Sequence, residues 1–379
     1  MKNSLFHFLS ALSALALAFC GVIQPSAAQS PSAHKTENVI VVMIDGMRWQ
    51  EVFRGADSKL LAQPGPAYLG DAKALSEGAT SHYGQSTAIE RRRALMPFLW
   101  STVATEGQIF GNRDLGSDSH VSNPFFFSYP GYAETLTGLV DPRVDSNDNR
   151  PNPNPTVFSW LNHQPGFEGR VAAFGAWGVF NGIFDKEHSG LVVNAGWDPF
   201  TSIPETPELA LLNRLKAETV HIWEDEPFDP LPFHTALAYL KTRKPRVLFV
   251  GLGETDDWAH SGSYPYYLDA AHLADSYLRE LWEQVQSMPE YKGKTTLIIL
   301  PDHGRGEGAE WTSHGQKIPA SRQTWMAFLG PDTAAKGERG AGTEVTEAQV
   351  AATVASLLGQ NYRSFAPKAA APILEVTGK

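Results

Sequence analysis

Thiol chemistry is nearly absent from this chain: its 379 residues include one cysteine, Cys20. Cys20 lies in an apolar run from Leu5 to Ile23 that follows Lys2 and precedes Ser26-Ala27-Ala28. A basic residue, an apolar stretch and a small-residue site predict a secretory signal peptide over residues 1–28. The polar Gln29-Ser30 beyond it favour cleavage over a retained anchor, and bulky Phe19 before Cys20 argues against a lipid-modified cysteine. The expected product, residues 29–379, is periplasmic or secreted, and without cysteine it has neither disulfides nor thiolate metal ligands. Any metal it binds must be held by His, Asp and Glu. Basic excess is missing too: net charge is −10, and −11 once Lys2 is lost. That surface excludes a nucleic-acid duplex as partner. No second apolar run is long enough to span a bilayer, so no membrane span is expected after cleavage. Repeats and low-complexity tracts are also absent. The apolar share of 42% and charged share of 19% suit a folded globular chain rather than a disordered one.

Apolar, β-branched runs mark the strands. NVIVVMIDG (38–46) reads as a buried parallel strand ending in Asp45-Gly46. Further strands are expected within 170–184, 246–257, 295–304 and 323–331, and a helix followed by a short strand within 94–112. A helix over 266–287 has apolar residues at helical spacing. Another over 346–359 has Thr346 and Gln349 placed for a capping box and Gly359 placed to end it. DPRVDSNDNRPNPNPT (141–156) is loop by composition, and it lacks the glycine and glutamate of an EF-hand. The alternation of strand and helix predicts an α/β fold: a doubly wound, mostly parallel sheet with helices on both faces. Ligands in such folds bind beyond the carboxyl ends of strands.

Chemistry-bearing residues collect at those ends. The first strand delivers Asp45, the strand at 246–252 is followed by Glu254, Asp256, Asp257 and His260, and that at 295–300 delivers Asp302 and His303. His314 follows. One such cluster reads as a turn or a loop hydrogen bond. Three at the same sheet edge fit divalent metal binding by zinc or a relative. Between the first two strands, FSYPGYAETLTG (127–138) sets Ser128 at the entry to a helix, either as its cap or as a nucleophile.

With these motifs in view, the chain resembles the alkaline phosphatase superfamily, nearest its nucleotide pyrophosphatase/phosphodiesterase-like and periplasmic phosphatase branches. VIVVMIDGMR is like the opening strand with its metal aspartate, and MPFLWSTVATEGQIF like the helix and strand before the nucleophile. ETDDWAH matches the Asp-x-x-x-His pair, PDHG the Asp-His pair, SHG the final histidine and VAATVASLLG the closing helix. The likeness covers roughly 38–360 in the family's motif order. It implies one alkaline phosphatase-like catalytic domain over 29–379, with a substrate-facing insertion within about 139–245. It implies two divalent ions, zinc first with manganese as the other candidate. Asp45, Asp302, His303 and Ser128 would hold one, and Asp256, His260 and His314 the other, with Asp256 matching the motif rather than Asp257. It further implies an exported hydrolase of small phosphate monoesters or diesters, acting through a metal-activated Ser128 and a covalent phosphoserine.

Two alternatives stand beside this reading. SYPGYAETLTG keeps the length and frame of the sulfatase signature, but Gly131-Tyr132 replace its Ser-Arg pair. The first strand carries one aspartate where sulfatases pair two, and histidines stand where they have lysine. A sulfatase is therefore disfavoured. A non-catalytic periplasmic metal- or phosphate-binding protein is disfavoured by the complete ligand set with a hydroxyl beside it. Asn112, Asn123 and Trp177 are candidate substrate contacts, and core packing suits Trp177 equally well.

Overall fold

The computed structural model describes residues 34–63, 66 and 70–378. The expected signal peptide lies outside them. Ten strands are formed among the described residues: β1 (Asn38–Ile44), β2 (Gln108–Phe110), β3 (Asp118–His120), β4 (Val171–Gly175), β5 (Val192–Ala195), β6 (Val247–Leu252), β7 (Thr295–Leu300), β8 (Met326–Leu329), β9 (Gly337–Glu338) and β10 (Glu344–Thr346). Eight make one sheet in the order β5-β4-β6-β1-β7-β8-β2-β9, and β3 pairs with β10 apart from it. Only β8 runs against its neighbours in the large sheet.

Period-two alternation splits the core. Ile40, Val42 and Ile44 of β1 face one apolar cluster, together with Leu248, Val250 and Leu252 of β6 and the helices Pro230–Arg243 and Tyr264–Ser287. Val39, Val41 and Met43 face another, with Phe249, Ile298 and Leu300 and the helices Ser128–Thr137 and Gln349–Leu357. Both faces of each central strand are therefore buried, which is why these strands are unbroken apolar runs. This is the expected doubly wound α/β sheet.

Residues 139–245 supply β4, inside the strand expected within 170–184, and β5. The buried run at 171–175 pairs with β6, and that at 192–195 pairs in turn with 171–175. The capping box at Thr346 is half formed: Gln349 Oε1 accepts the Thr346 N–H at 3.0 Å, while the Thr346 backbone is engaged in β10. Among the described residues no helix is long and apolar enough to cross a membrane.

Candidate functional site

Strands β6, β1 and β7 are consecutive, and their registers bring Ile44 level with Leu252 and Met43 level with Leu300. Asp45, one residue past β1, Asp302, two past β7, and the Glu254–His260 helix, two past β6, therefore emerge side by side. Asp45 is fastened there by its N–H, which donates to Leu252 O at 2.9 Å.

The first group centres on His303. Its Nδ1 faces Gly304 O at 2.9 Å, so the proton sits on Nδ1 and Nε2 presents a lone pair. Nε2 lies 3.3 Å from Ser128 Oγ, 3.4 Å from Asp45 Oδ1 and 3.4 Å from Asp302 Oδ2. Donors at zinc–ligand distances around a tetrahedral centre stand about 3.3–3.4 Å apart. Each carboxylate is tied down by its other oxygen. Asp45 Oδ2 accepts from Tyr132 Oη at 2.9 Å, and Asp302 Oδ1 accepts from the N–H groups of Gly46 at 3.1 Å and His303 at 2.9 Å. Asp45 Oδ1 and Asp302 Oδ2 are buried without a hydrogen-bond partner among the described residues. Buried carboxylate oxygens left unpaired are costly, and a cation bound between them removes that cost. Burial, with the Asp302 charge second, pushes Asp45 up to about 8, and burial pushes Asp302 up to about 7.

The second group abuts the first. His260 Nε2 is 2.9 Å from His314 Nε2 and 3.0 Å from Asp256 Oδ2, and His314 Nε2 is 3.7 Å from Asp256 Oδ1. His314 Nδ1 points at Phe126 O at 3.3 Å, again leaving Nε2 free to ligate. Donor atoms of Asp256, Asp45 and His303 lie within 4.8 Å of one another, so the two groups share a boundary at Asp256. The His303 and His314 rings stack at 4.0 Å. Burial holds all three imidazoles below their usual value, which keeps them neutral donors. The donor set of oxygen and nitrogen atoms fits divalent cations at both positions.

Ser128 is the first residue of its helix, and Phe127, not Ser128, takes the cap position, with no side-chain cap. The hydroxyl faces His303 instead. The positive end of a helix favours an anion here. Few of its donors remain, however: Asn147 Oδ1 accepts the Tyr129 N–H at 3.0 Å, and Pro130 has none. Phe126 adopts a left-handed φ of 56°, and this turns its carbonyl towards His314.

The structure does not bring every candidate to the cluster. Asn112 is buried with its amide donating to Glu338 Oε1 at 2.5 Å, and its oxygen accepts from Asp114 N–H. Asn123 donates to Glu134 and accepts from Phe125 and Phe126 N–H, so it shapes the turn before Ser128. Both side chains are committed to the scaffold. Trp177 packs edge-on to Phe180 at 6.4 Å, and its indole bonds Asp225. Asp257 pairs with the Glu226 carboxyl, and burial pushes it up to about 8.

Three contributors escaped the sequence reading: Tyr132, Asn147 and Arg305. Arg305, in PDHGRG directly after the Asp-His pair, donates to Asp256 Oδ1. Its position beside that motif was the available signal.

No family model and no curated protein matches the chain by sequence. Solved structures match by shape. The wild-type alkaline phosphatase PafA aligns with a TM-score of 0.57 at 11% identity, covering 92% of this chain and 100% of that one. A 2-O GAG sulfatase aligns at 0.51 and 14% identity over 91% and 75% of the two chains. The lipoteichoic acid synthase LtaP of Listeria monocytogenes aligns at 0.52 and 11% over 86% and 72%. With its strand order, its buried carboxyl-end site and these likenesses, the chain has the fold of the alkaline phosphatase superfamily.

Proposed function

We propose that this protein is an exported, two-cation hydrolase of small phosphate monoesters or diesters, with Ser128 as nucleophile. The observation that carries the reading is the placement of Ser128 Oγ, Asp45 Oδ1 and Asp302 Oδ2 at 3.3–3.4 Å from His303 Nε2. A serine serving only as cap or core residue has no need to share a histidine lone pair with two carboxylates.

Ser128 Oγ forms the bond to phosphorus in line with the departing ester oxygen, whose bond to phosphorus breaks as the alcohol takes up a proton. Water then attacks the phosphoserine, releasing phosphate (or, from a diester, a phosphate monoester) and restoring the hydroxyl. Asp45, Asp302 and His303 would hold one cation and Asp256, His260 and His314 the other. When bound, such a pair would activate the hydroxyl and offset charge on the leaving oxygen. A phosphoryl group carried on Ser128 would lie at the N-terminus of the Ser128–Thr137 helix.

Sulfate ester hydrolysis is the second reading, favoured by the fold shared with a 2-O GAG sulfatase. Against it, Tyr132 stands where the sulfatase signature has its arginine, and its hydroxyl is committed to Asp45. Chromogenic phosphate monoester, phosphate diester and sulfate ester, each with added zinc or manganese, separate the two. Turnover of phosphate esters is expected. Ser128→Ala should abolish it while retaining most metal, because six ligands remain. Turnover of sulfate alone would establish the second reading, and full activity of Ser128→Ala would remove the nucleophile assignment.

A further inference from the structure

Arginines are almost never fully buried unless paired, and Arg305 is 1% exposed. Its guanidinium reaches three places. Nη1 donates to Asp256 Oδ1, Nε to Trp311 O at 3.0 Å, and Nη2 to Thr312 O at 2.6 Å. Trp311 and Thr312 belong to a turn closed by Gly306 N–H donating to Ser313 O at 2.9 Å, and the next residue is His314. Gly46 gives the pair room: a Cβ there would lie 2.5 Å from Asp256 Oδ1 and 2.9 Å from Arg305 Nη1. One side chain therefore fixes the Asp256 carboxylate and the backbone that delivers His314.

The contact also takes Asp256 Oδ1 out of use, leaving Oδ2 beside His260. The two donor groups then differ in charge. Asp45 and Asp302 bring two carboxylates; the hydrogen bonds to them come from a tyrosine hydroxyl and backbone N–H groups, and the Arg305 charge reaches Asp45 without a hydrogen bond to it. The other group brings one carboxylate paired with a guanidinium, and two neutral histidines. Affinity for a cation follows the charge and rigidity of its ligands.

We propose that Arg305 is the positioning residue of the Asp256–His260–His314 subsite, and that it makes this subsite the weaker of the two, filled second. The proposal rests on the two-cation reading above. Lysine keeps the charge but lacks the fork, so it cannot hold Asp256 and both carbonyls at once.

The test titrates the metal-free full chain with Zn2+, following heat, bound zinc and histidine ring 15N signals. Two steps are expected, the first moving one histidine and the second moving two. Arg305→Lys should leave the first step in place and weaken the second by about tenfold or more. A wild-type-like second step in that variant overturns the proposal, as does loading in a single step or with the two-histidine step first. If the lysine variant does not fold, the loading order in the unmodified chain still decides. Absence of any zinc binding by the wild type would instead overturn the two-cation reading.

Discussion

Tyr132 shows how a single side chain serves both packing and chemistry. Its ring sits edge-on to Phe180 at 4.7 Å inside the core, while its hydroxyl donates to Asp45 Oδ2. That bond leaves Oδ1 as the ligating oxygen and fixes its direction. Tyr132→Phe keeps the ring and removes the holder, so zinc affinity at the Asp45 position should fall about 10–100-fold. The fold should persist, because the ring contacts are unchanged. Competition with a chromogenic chelator, alongside a thermal melt, checks both halves; unchanged zinc affinity would remove the role assigned to the hydroxyl. The seven ligand candidates were legible because each sits at the end of an apolar run or beside a short motif. Tyr132 and Arg305 were not, since their partners lie 87 and 49 residues away and only folding brings them together.

Elements place these residues through backbone contact as much as through side chains. The Ser128–Thr137 helix presses against the end of β7 at Gly131, where a Cβ would come within 2.2 Å of Asp302 O. Glycine is required there by proximity rather than by φ. Gly131→Ala forces the helix away from β7, at an overpacking cost of about 1–3 kcal/mol. Ser128 moves with the helix, and a misplacement of about 1 Å can cost roughly 10²-fold in rate. The expected result is a kcat loss far larger than the fall in urea midpoint explains; a kcat within twofold of wild type would contradict this account of the contact. Strands β1, β6 and β7 were legible as apolar runs, because a strand buried on both faces has no polar positions to blur it. The expected helix within 94–112 was less so. It is interrupted after Leu95, and Leu99–Val103 form a π-helical turn. Pro97 supplies no N–H, and the Asp275 carboxylate accepts from Phe98 and Leu99 at 2.7 and 2.8 Å. Local periodicity cannot reveal a partner that distant.

Across the whole molecule, the segment 139–245 supplies the β5-β4 edge of the large sheet. Its helix Pro207–Glu218 fastens β5 through Lys216, which is 2% exposed and donates to Asn194 Oδ1 at 2.9 Å and Asp198 O at 3.0 Å. Burial draws the Lys216 ammonium down from 10.5 to about 8. Below that value the folded and unfolded chains both hold the proton. Between about 8 and 10.5 the unfolded chain still holds a proton that the folded chain has released, so this residue makes stability rise with pH across that window. The full shift corresponds to about 3 kcal/mol, as an order of magnitude. Lys216→Met keeps most of the buried stem, abolishes the titration and forfeits two hydrogen bonds. Urea unfolding of wild type and variant at pH 7.5 and pH 10 should therefore diverge, with wild type gaining on the variant by about 2–3 kcal/mol as pH rises. Parallel curves would mean that Lys216 titrates alike in both states and that its burial sets no part of the pH dependence. Because the anchor joins β5 to the helix that follows it, the same comparison also reports whether the sheet edge unfolds with the core: a single transition in both proteins is the outcome expected of a segment that supplies strands of the sheet.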